Sequence, residues 1–249
     1  MSANGNFEST LELISDVEGW LTDAQARRLW DAAGRVPAGG RIVELGSFRG
    51  RSAIVLARSS TPEVEVIAVD PHGGGDRGPQ EITPDAELGS ADNQAFNANL
   101  ERAGVKERVR HVRAMSSDAH GDVEGPLEML YVDGAHRYAP AREDIDRWGA
   151  RVVPGGSMLI HDSFNAIGVM LAQLRLLFLS PHWRYVGRSG SLAEYRREHL
   201  GAGAIASNAL RQAAGIPYFV RNMTIKVLIT AHLRPLARLL GHDGSHWPY

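Results

Sequence analysis

The chain has 249 residues, of which 43% are hydrophobic and 22% are charged. This composition suits one large domain with additions and argues against wholesale disorder. Cysteine is absent, which excludes a disulfide framework, a thiolate nucleophile and a thiolate-bound zinc or iron–sulfur site. A formal net charge of −2 gives no reason to expect a nucleic-acid partner. No signal peptide and no run of about 18 apolar residues is visible, so we expect a cytoplasmic protein without a membrane span.

The predicted elements alternate between helices and short apolar strands. The first helix is predicted over residues 24–33, because apolar residues recur there at helical spacing after a Thr22-Asp23 start signal. The strand candidates are residues 41–45, 64–69, 109–114, 128–132 and 157–160. The helix candidates between them are residues 51–59, 93–103 and 140–150, and a long loop is predicted over 71–92. This alternation predicts an α/β fold, a doubly wound parallel sheet with helices on both faces.

The rhythm of the sequence changes near residue 183. Residues 184–249 contain nine basic and three acidic residues, and an apolar, arginine-dotted stretch runs over 216–240. We therefore predict one domain over 1–183 and an appended basic and apolar helical extension over 184–249. Because its apolar side chains are costly to leave in water, the extension is expected to act as a lid or as a homodimer contact.

Polar residues follow the predicted strand ends. They are Gly46, Asp70, Ser116, Asp133, His136 and Asp162. In doubly wound sheets ligands bind at the carboxyl ends of the strands. The sequence therefore predicts a ligand site at this edge of the sheet.

The turn over 46–50 joins the first strand to the next helix. Its glycines let the backbone approach a ligand, and the helix N-terminus favours a carboxylate or a phosphate. The turn matches neither the dinucleotide pattern G-x-G-x-x-G nor a phosphate loop. Asp70, at the end of the second strand, is predicted to accept the two hydroxyls of a ribose. A solvated strand-end aspartate is the plainer alternative.

Six short motifs occur in order between residues 42 and 164. They are Glu44-Leu45-Gly46 with Gly50 and Ser52, Val69-Asp70, Ser116-Ser117-Asp118, Asp133-Gly134-Ala135-His136, Pro154-Gly155-Gly156 and His161-Asp162. Together they resemble the class I S-adenosylmethionine-dependent O-methyltransferases. The likeness is to the small metal-dependent branch that includes catechol O-methyltransferases and bacterial sugar and antibiotic methyltransferases.

The resemblance implies a set of cofactor contacts. Glu44, Gly46 and Ser52 would bind S-adenosylmethionine, with Gly46 and Ser52 at its methionine end. Asp70 would hold the ribose, and the adenine would be bordered by Met115, Ser116 and Ser117. An ordinary helix N-cap is the alternative role for the Ser116-Ser117 pair.

The resemblance also implies a metal and a base. Asp133 and Asp162 would bind Mg²⁺, which takes oxygen ligands, with Ser163 at the third ligand position. His136 would act as general base with Asp133 as its catalytic neighbour, because imidazole accepts a proton near neutrality. His161 is the rival base, and His72, His161 and Trp183 are expected to line the acceptor pocket.

The expected function is methyl transfer to a sugar hydroxyl, since the sequence is similar to actinobacterial saccharide methyltransferases, and a mannoside or polysaccharide precursor is the expected acceptor. One alternative is an O-methyltransferase for an antibiotic or phenolic small molecule. The other is a non-enzymatic nucleotide- or RNA-binding module that uses the basic extension, although this segment lacks the interleaved aromatic residues of single-strand binders.

Overall fold

The computed structural model describes residues 6–75 and 83–242. In this part of the chain seven strands form one mixed sheet in the order β3-β2-β1-β4-β5-β7-β6. The strands are β1 (Arg41–Leu45), β2 (Glu65–Val69), β3 (Val109–Val112), β4 (Leu127–Val132), β5 (Val152–Ile160), β6 (Trp183–Ser189) and β7 (Leu192–Arg197). The first five strands are mutually parallel, and β7 runs antiparallel to both of its neighbours.

Helices cover both faces of the sheet. They are α1 (Phe7–Ile14), α2 (Asp23–Ala33), α3 (Arg51–Ser59), α4 (Ala86–Arg102), α5 (Tyr138–Glu143), α6 (Ile167–Leu176), α7 (Ala202–Ala213), α8 (Ile216–Thr230) and α9 (Arg234–Ala237). A π-helical turn, Asp144–Trp148, extends α5. None of the helices in the described ranges is long and apolar enough to cross a membrane.

The core lies in two layers because successive strand residues face opposite sides of the sheet. In β1, Ile42 packs with α1, α2 and α3 on one face, and Val43 packs with Trp148 and Phe164 on the other. All of these side chains are fully buried. Burial on both faces explains why the central strands are nearly continuous apolar runs.

The strand register brings the carboxyl ends of the central strands to one edge. Leu45, the last residue of β1, pairs with the last residue of β2 and with Val132 at the end of β4. Val132 in turn pairs with Ile160 at the end of β5. Strand β1 lies between β2 and β4, so the order of the strands along the chain reverses at β1. In sheets of this kind a ligand-binding crevice lies at such a reversal.

The predicted α/β fold with helices on both faces and a C-terminal helical segment is confirmed, with two corrections. The helical segment starts at Ala202 and not at residue 184, because β6 and β7 occupy residues 183–197. These strands complete the edge of β5, where Tyr195 is fully buried and Glu194 is paired with Arg28 and Arg35. The arginines in β6 and β7 interrupt the apolar pattern by which strands were predicted. The second correction is that the antiparallel β7 makes the sheet mixed and not parallel.

The loop predicted over 71–92 is also shorter than expected. Helix α4 begins at Ala86, where the Asp85 carboxylate accepts hydrogen bonds from the backbone N–H groups of Glu87 and Leu88. Residues 76–82 of the predicted loop lie outside the described residues. The sequence placed the helix start too late because the Asp85 cap lies inside a run of loop-like residues.

Candidate active site

A cavity of about 1050 Å³ opens at the carboxyl edge of the sheet. Its walls come from the loops after β1, β2, β4 and β5, from residues 18–21 between α1 and α2, and from α8. Predicted site residues on its walls are Gly46, Ser52, Asp70, His72, Met115, Ser116, Asp133, His136, His161 and Asp162. The edge predicted from the strand ends is therefore the edge that carries the cavity.

The turn after β1 requires glycine. Gly46 has φ +84°, and a Cβ there would lie 2.2 Å from the carbonyl oxygen of Asp133. Asp70 holds the turn from the other side, since one carboxylate oxygen accepts from the backbone N–H groups of Ser47 and Phe48, both at 2.8 Å. The other oxygen accepts from the backbone N–H of His72 at 2.7 Å. Asp70 thus orders the ligand-facing backbone, and its ribose contact remains a prediction.

The N-terminus of α3 faces the same cavity. Its N-cap is Gly50, with φ +86°, and no side chain caps the helix. The Ser52 hydroxyl in the first turn donates to Glu44, a fully buried carboxyl beneath the cavity wall. Burial raises the pKa of Glu44 to about 8, with Asp133 and Asp70 adding to the effect and the Ser52 hydrogen bond opposing it. An uncapped helix N-terminus is a suitable place for the carboxylate of a ligand.

The turn after β3 borders the cavity through two of its three predicted residues. Met115 is half-exposed on the cavity wall, and Ser116 lies beside it. The backbone carbonyl of Ser116 accepts a hydrogen bond of 3.1 Å from the Trp148 indole. Ser117 is exposed, does not line the cavity and donates to Asp118, so the structure does not bring it together with the other predicted cofactor contacts. The N-cap alternative also fails, because the short helix begins at Ala119 without a side-chain cap.

Two aspartates and two histidines form a charged cluster in the cavity. His136 Nε2 lies 2.6 Å from Asp162 Oδ2. His161 Nδ1 lies 3.1 Å from Asp133 Oδ1 and 3.8 Å from Asp162 Oδ2. The Tyr131 hydroxyl donates to Asp133 Oδ2 at 2.7 Å. The sequence predicted all four charged residues as site residues, and the fold brings them into contact.

The cluster shifts the pKa values of its members in complementary directions. Burial opposes ionisation of Asp162, but His161 and His136 outweigh it, so the pKa of this carboxyl lies well below its usual range. Burial also opposes protonation of His161, yet Asp133 and Asp162 raise its pKa well above the ordinary value. The pKa of His136 is raised because its contact with Asp162 outweighs desolvation. Asp162 and the two imidazoles therefore stabilise each other's charged forms.

The predicted metal ligands divide into two groups. Asp133 and Asp162 are carboxylates on the cavity wall, and they fit as the one or two protein carboxylates that Mg²⁺ takes together with waters and substrate oxygens. Ser163 does not fit. It is fully buried, donates to the Ile160 carbonyl and accepts from Gln173, both at 2.8 Å. Within the described ranges no group of three or more His, Cys, Asp or Glu is arranged to hold a metal ion.

The predicted acceptor residues also separate. His72 lines the cavity, with φ +46° and Nε2 at 2.7 Å from the Phe48 carbonyl oxygen. Trp183 is buried in β6, where its ring packs beside Gly149 and under the guanidinium of Arg197. Trp183 does not line the cavity, so the structure does not bring it together with the other predicted acceptor residues. Trp183 is the last residue of the domain predicted over 1–183, but in the fold it begins β6, the edge strand of the sheet.

The central part of the sequence is similar to a known protein family. Residues 43–163, just under half of the chain, match a family described as a methyltransferase domain. This central part of the chain is therefore similar to methyltransferase domains.

Solved structures share the fold of this chain. An O-methyltransferase from Bacillus cereus in complex with SAH is 15% identical, with a TM-score of 0.54, over 77% of this chain and 90% of that chain. TomG, an O-methyltransferase from Streptomyces achromogenes in complex with SAM, is 17% identical, with a TM-score of 0.52, over 77% and 89%. A cofactor-bound protein from MTB, Rv0187, is 18% identical, with a TM-score of 0.54, over 77% and 89%.

The cavity also has lining residues that the sequence did not predict. Lys226 reaches the cavity from α8, Trp20 from the loop before α2, and Asp144 from the π-helical turn. Burial raises the pKa of Asp144 to about 6, although a hydrogen bond from Ser116 lowers it. Lys226 and Lys106 are the two lysines of the chain, and this rarity could have marked Lys226 as a candidate site residue. For Trp20 and Asp144 no local pattern indicated the site.

Proposed function

We propose that the chain is an S-adenosylmethionine-dependent O-methyltransferase whose acceptor is a sugar hydroxyl. The observation that carries this proposal is the layout of the cavity. A glycine turn and an uncapped helix N-terminus line one cavity together with the carboxylate–imidazole cluster, and Gly46 lies directly against the backbone of Asp133. The helix N-terminus suits a cofactor with a carboxylate, and the neighbouring cluster suits removal of a proton from an acceptor.

The turn after β1 and the start of α3 fit S-adenosylmethionine. The backbone N–H groups at the N-terminus of α3 would receive its methionine carboxylate, with Ser52 beside it in the first turn and the Ser52 hydroxyl proton held by Glu44. Gly46, where a Cβ would collide with the Asp133 carbonyl, lets the turn after β1 lie close to the loop after β4. Asp70 holds the turn in this shape, and Met115 and Ser116 would border the adenine.

His136 is proposed as the general base. Its Nε2 faces Asp162, so Nδ1 is the nitrogen available to the acceptor. As the acceptor oxygen attacks the methyl carbon, its proton passes to Nδ1 and a new C–O bond forms. The C–S bond breaks with its electrons on sulfur, which turns the sulfonium into a neutral thioether. Asp162 orients the imidazole and stabilises its protonated form.

Asp133 and Asp162 are also the residues that would hold Mg²⁺. A bound magnesium ion supplies positive charge that orients the acceptor oxygens and favours their deprotonation. Tyr131 and His161 fix the Asp133 carboxylate from two sides, at 2.7 and 3.1 Å. This support keeps the two carboxylates at their strand ends, where the acceptor must lie.

The choice of a sugar acceptor rests on the polar side chains that line the cavity with Asp162. They are His136, Arg137, Asn165, Lys226 and Thr230. A phenolic or antibiotic-like acceptor is the second candidate, because Ile167, Met223 and Val227 also line the cavity and are apolar. Trp20, stacked on Phe48 with ring centroids 5.3 Å apart, would offer either acceptor a flat surface.

A nucleic-acid-binding role is less favoured, because arginines of the C-terminal part are engaged within the fold. Arg184 makes two hydrogen bonds to Glu198, and Arg221 donates to the carbonyls of Leu240 and Gly241. Arg197 donates to the carbonyl of Gly149. These pairings reduce the charge available to phosphates.

The test is a methyl-transfer assay with labelled S-adenosylmethionine against a panel of mannosides, other saccharides and catechols, with and without Mg²⁺. The proposal expects S-adenosylhomocysteine to bind by calorimetry and a saccharide to become labelled on oxygen. Asp133→Asn, which keeps the shape of the side chain, is the matched inactive control. Labelling of catechols alone would favour the second candidate, and failure to bind S-adenosylhomocysteine would refute the proposal.

A further inference from the structure

Helix α8 contacts the loop after β5 through two polar side chains. The Asn222 side-chain amide donates to Asn165 Oδ1 at 3.1 Å, and Lys226 Nζ donates to the backbone carbonyl of Asn165 at 2.8 Å. Asn222 and Lys226 are four residues apart, so they lie on one face of the helix. Both contacts therefore converge on a single residue, Asn165.

Asn165 carries these contacts into the charged cluster. Its side-chain amide donates to Asp162 Oδ1 at 2.7 Å. The other oxygen of Asp162 lies 2.6 Å from His136 Nε2. A continuous series of contacts thus joins α8 to the proposed general base through Asn165 and Asp162.

The loop itself needs such support. Asp162 and Phe164 both have left-handed backbones, with φ +54° and +56°. Residues other than glycine rarely adopt this backbone conformation, and it persists where the surrounding structure holds it. Gly215, at the start of α8, packs against the Phe164 ring so closely that a Cβ would lie 2.7 Å from it. The same helix therefore supports the loop at Phe164 and at Asn165.

The contact is specific because its polar groups are removed from water. Asn165 and Asn222 are each 1% exposed, and a buried amide is costly unless it is hydrogen-bonded. Ile225 is the buried apolar residue of α8 in the described part of the chain, beside Asn222. The helix is therefore seated on the loop by a polar contact as much as by an apolar one.

We propose that α8 positions the catalytic cluster, with Asn222 and Lys226 as positioning residues that act on Asp162 and His136 through Asn165. This inference rests on the proposed function, because it assigns α8 a role in the same methyl transfer. It gives the C-terminal segment a task beyond covering the cavity.

The test compares Asn222→Ala and Lys226→Met with Thr224→Ala. Thr224 is an exposed α8 residue whose hydroxyl bonds only within its own helix among the described contacts. We expect each of the first two variants to lower kcat at least tenfold, since small displacements of reacting groups have large effects on rate. The affinity for S-adenosylhomocysteine should be unchanged. Lys226→Arg should restore much of the activity, and Thr224→Ala should match the wild type.

A double-mutant cycle separates positioning from a structural role. If Asn222 acts through His136, Asn222→Ala should cost no further activity in a His136→Ala background. A purely structural role would lower activity in both backgrounds and would also lower the thermal midpoint in proportion. Additive losses would overturn the inference.

A second measurement does not depend on turnover. The ring proton resonances of His136, assigned with His136→Ala, should shift in Asn222→Ala and stay in place in Thr224→Ala. If the wild-type protein transfers no methyl group and the His136 resonances still shift in Asn222→Ala, the positioning contact is supported and the proposed function is refuted. If the wild-type enzyme is active but Asn222→Ala and Lys226→Met change neither kcat nor the His136 resonances, the positioning role is refuted and the proposed function stands.

Discussion

The contact between His136 and Asp162 makes the pH dependence of the rate a direct test of the proposed base. Only the neutral imidazole accepts a proton, so the rate should rise with pH through the ionisation of His136. Asp162 outweighs the effect of burial and raises the pKa of this histidine. The rising limb should therefore lie above the ordinary histidine value of about 6.5.

The perturbation is Asp162→Asn, which keeps the shape of the side chain and removes its charge. A hydrogen bond to a charged group contributes about 1.5–3 kcal/mol, and 1.36 kcal/mol corresponds to about one pKa unit. The His136 side chain is 37% exposed, so solvent screening favours the lower end of this range. We expect the rising limb to move down by about one pH unit, with a lower maximal rate because the imidazole is less well oriented.

The assay measures kcat from pH 5 to 9 at saturating cofactor, acceptor and magnesium, so that weakened metal binding does not dominate the result. His136→Ala is the companion variant, and it should lose about 10²–10⁴-fold in rate and lose the limb. An unshifted limb in Asp162→Asn, together with near wild-type turnover in His136→Ala, would refute the assignment. His161 would then become the leading candidate for the base.

Three further predictions concern other parts of the site. Asp70→Ala should weaken S-adenosylhomocysteine binding by about 1–3 kcal/mol, measured by calorimetry, because the glycine turn loses two hydrogen bonds to a carboxylate and the loop after β2 loses one; equal affinity in a folded variant would contradict this. EDTA should lower activity and Mg²⁺ restore it, and Ser163→Ala should leave the metal dependence unchanged because Ser163 faces the core; full turnover in excess chelator would show that the aspartates serve other roles. Glu44 has a pKa raised to about 8 when folded, against 4.5 as its reference value. Its stability contribution is therefore full below about pH 4.5 and is lost as pH rises toward 8. Glu44→Gln should flatten the fall of the thermal midpoint over this window in the cofactor-free protein, and an unchanged slope would refute it.

The sequence by itself determined the architecture of the parallel part of the sheet and most of the cavity edge. Apolar runs such as 41–45 and 128–132 are buried on both faces, so their strand character is visible in the local pattern. Because parallel strands end at one edge, polar residues after these runs had to lie together. Asp133, His136 and Asp162 were found in this way, and they are in one cluster.

Tertiary structure decided what local patterns do not encode. Strands β6 and β7 pair with the edge of β5, which would otherwise leave its backbone hydrogen-bonding groups unpaired. The arginine-rich sequence of these two strands does not indicate this pairing. Ser163 and Trp183 were assigned to the site by position along the chain, but the left-handed turn after β5 and the closure of the sheet edge direct both into the interior. Lys226 is 64 residues beyond Asp162 in the sequence. Only the docking of α8 brings it to the catalytic loop, because side chains from distant segments meet through packing and not through spacing.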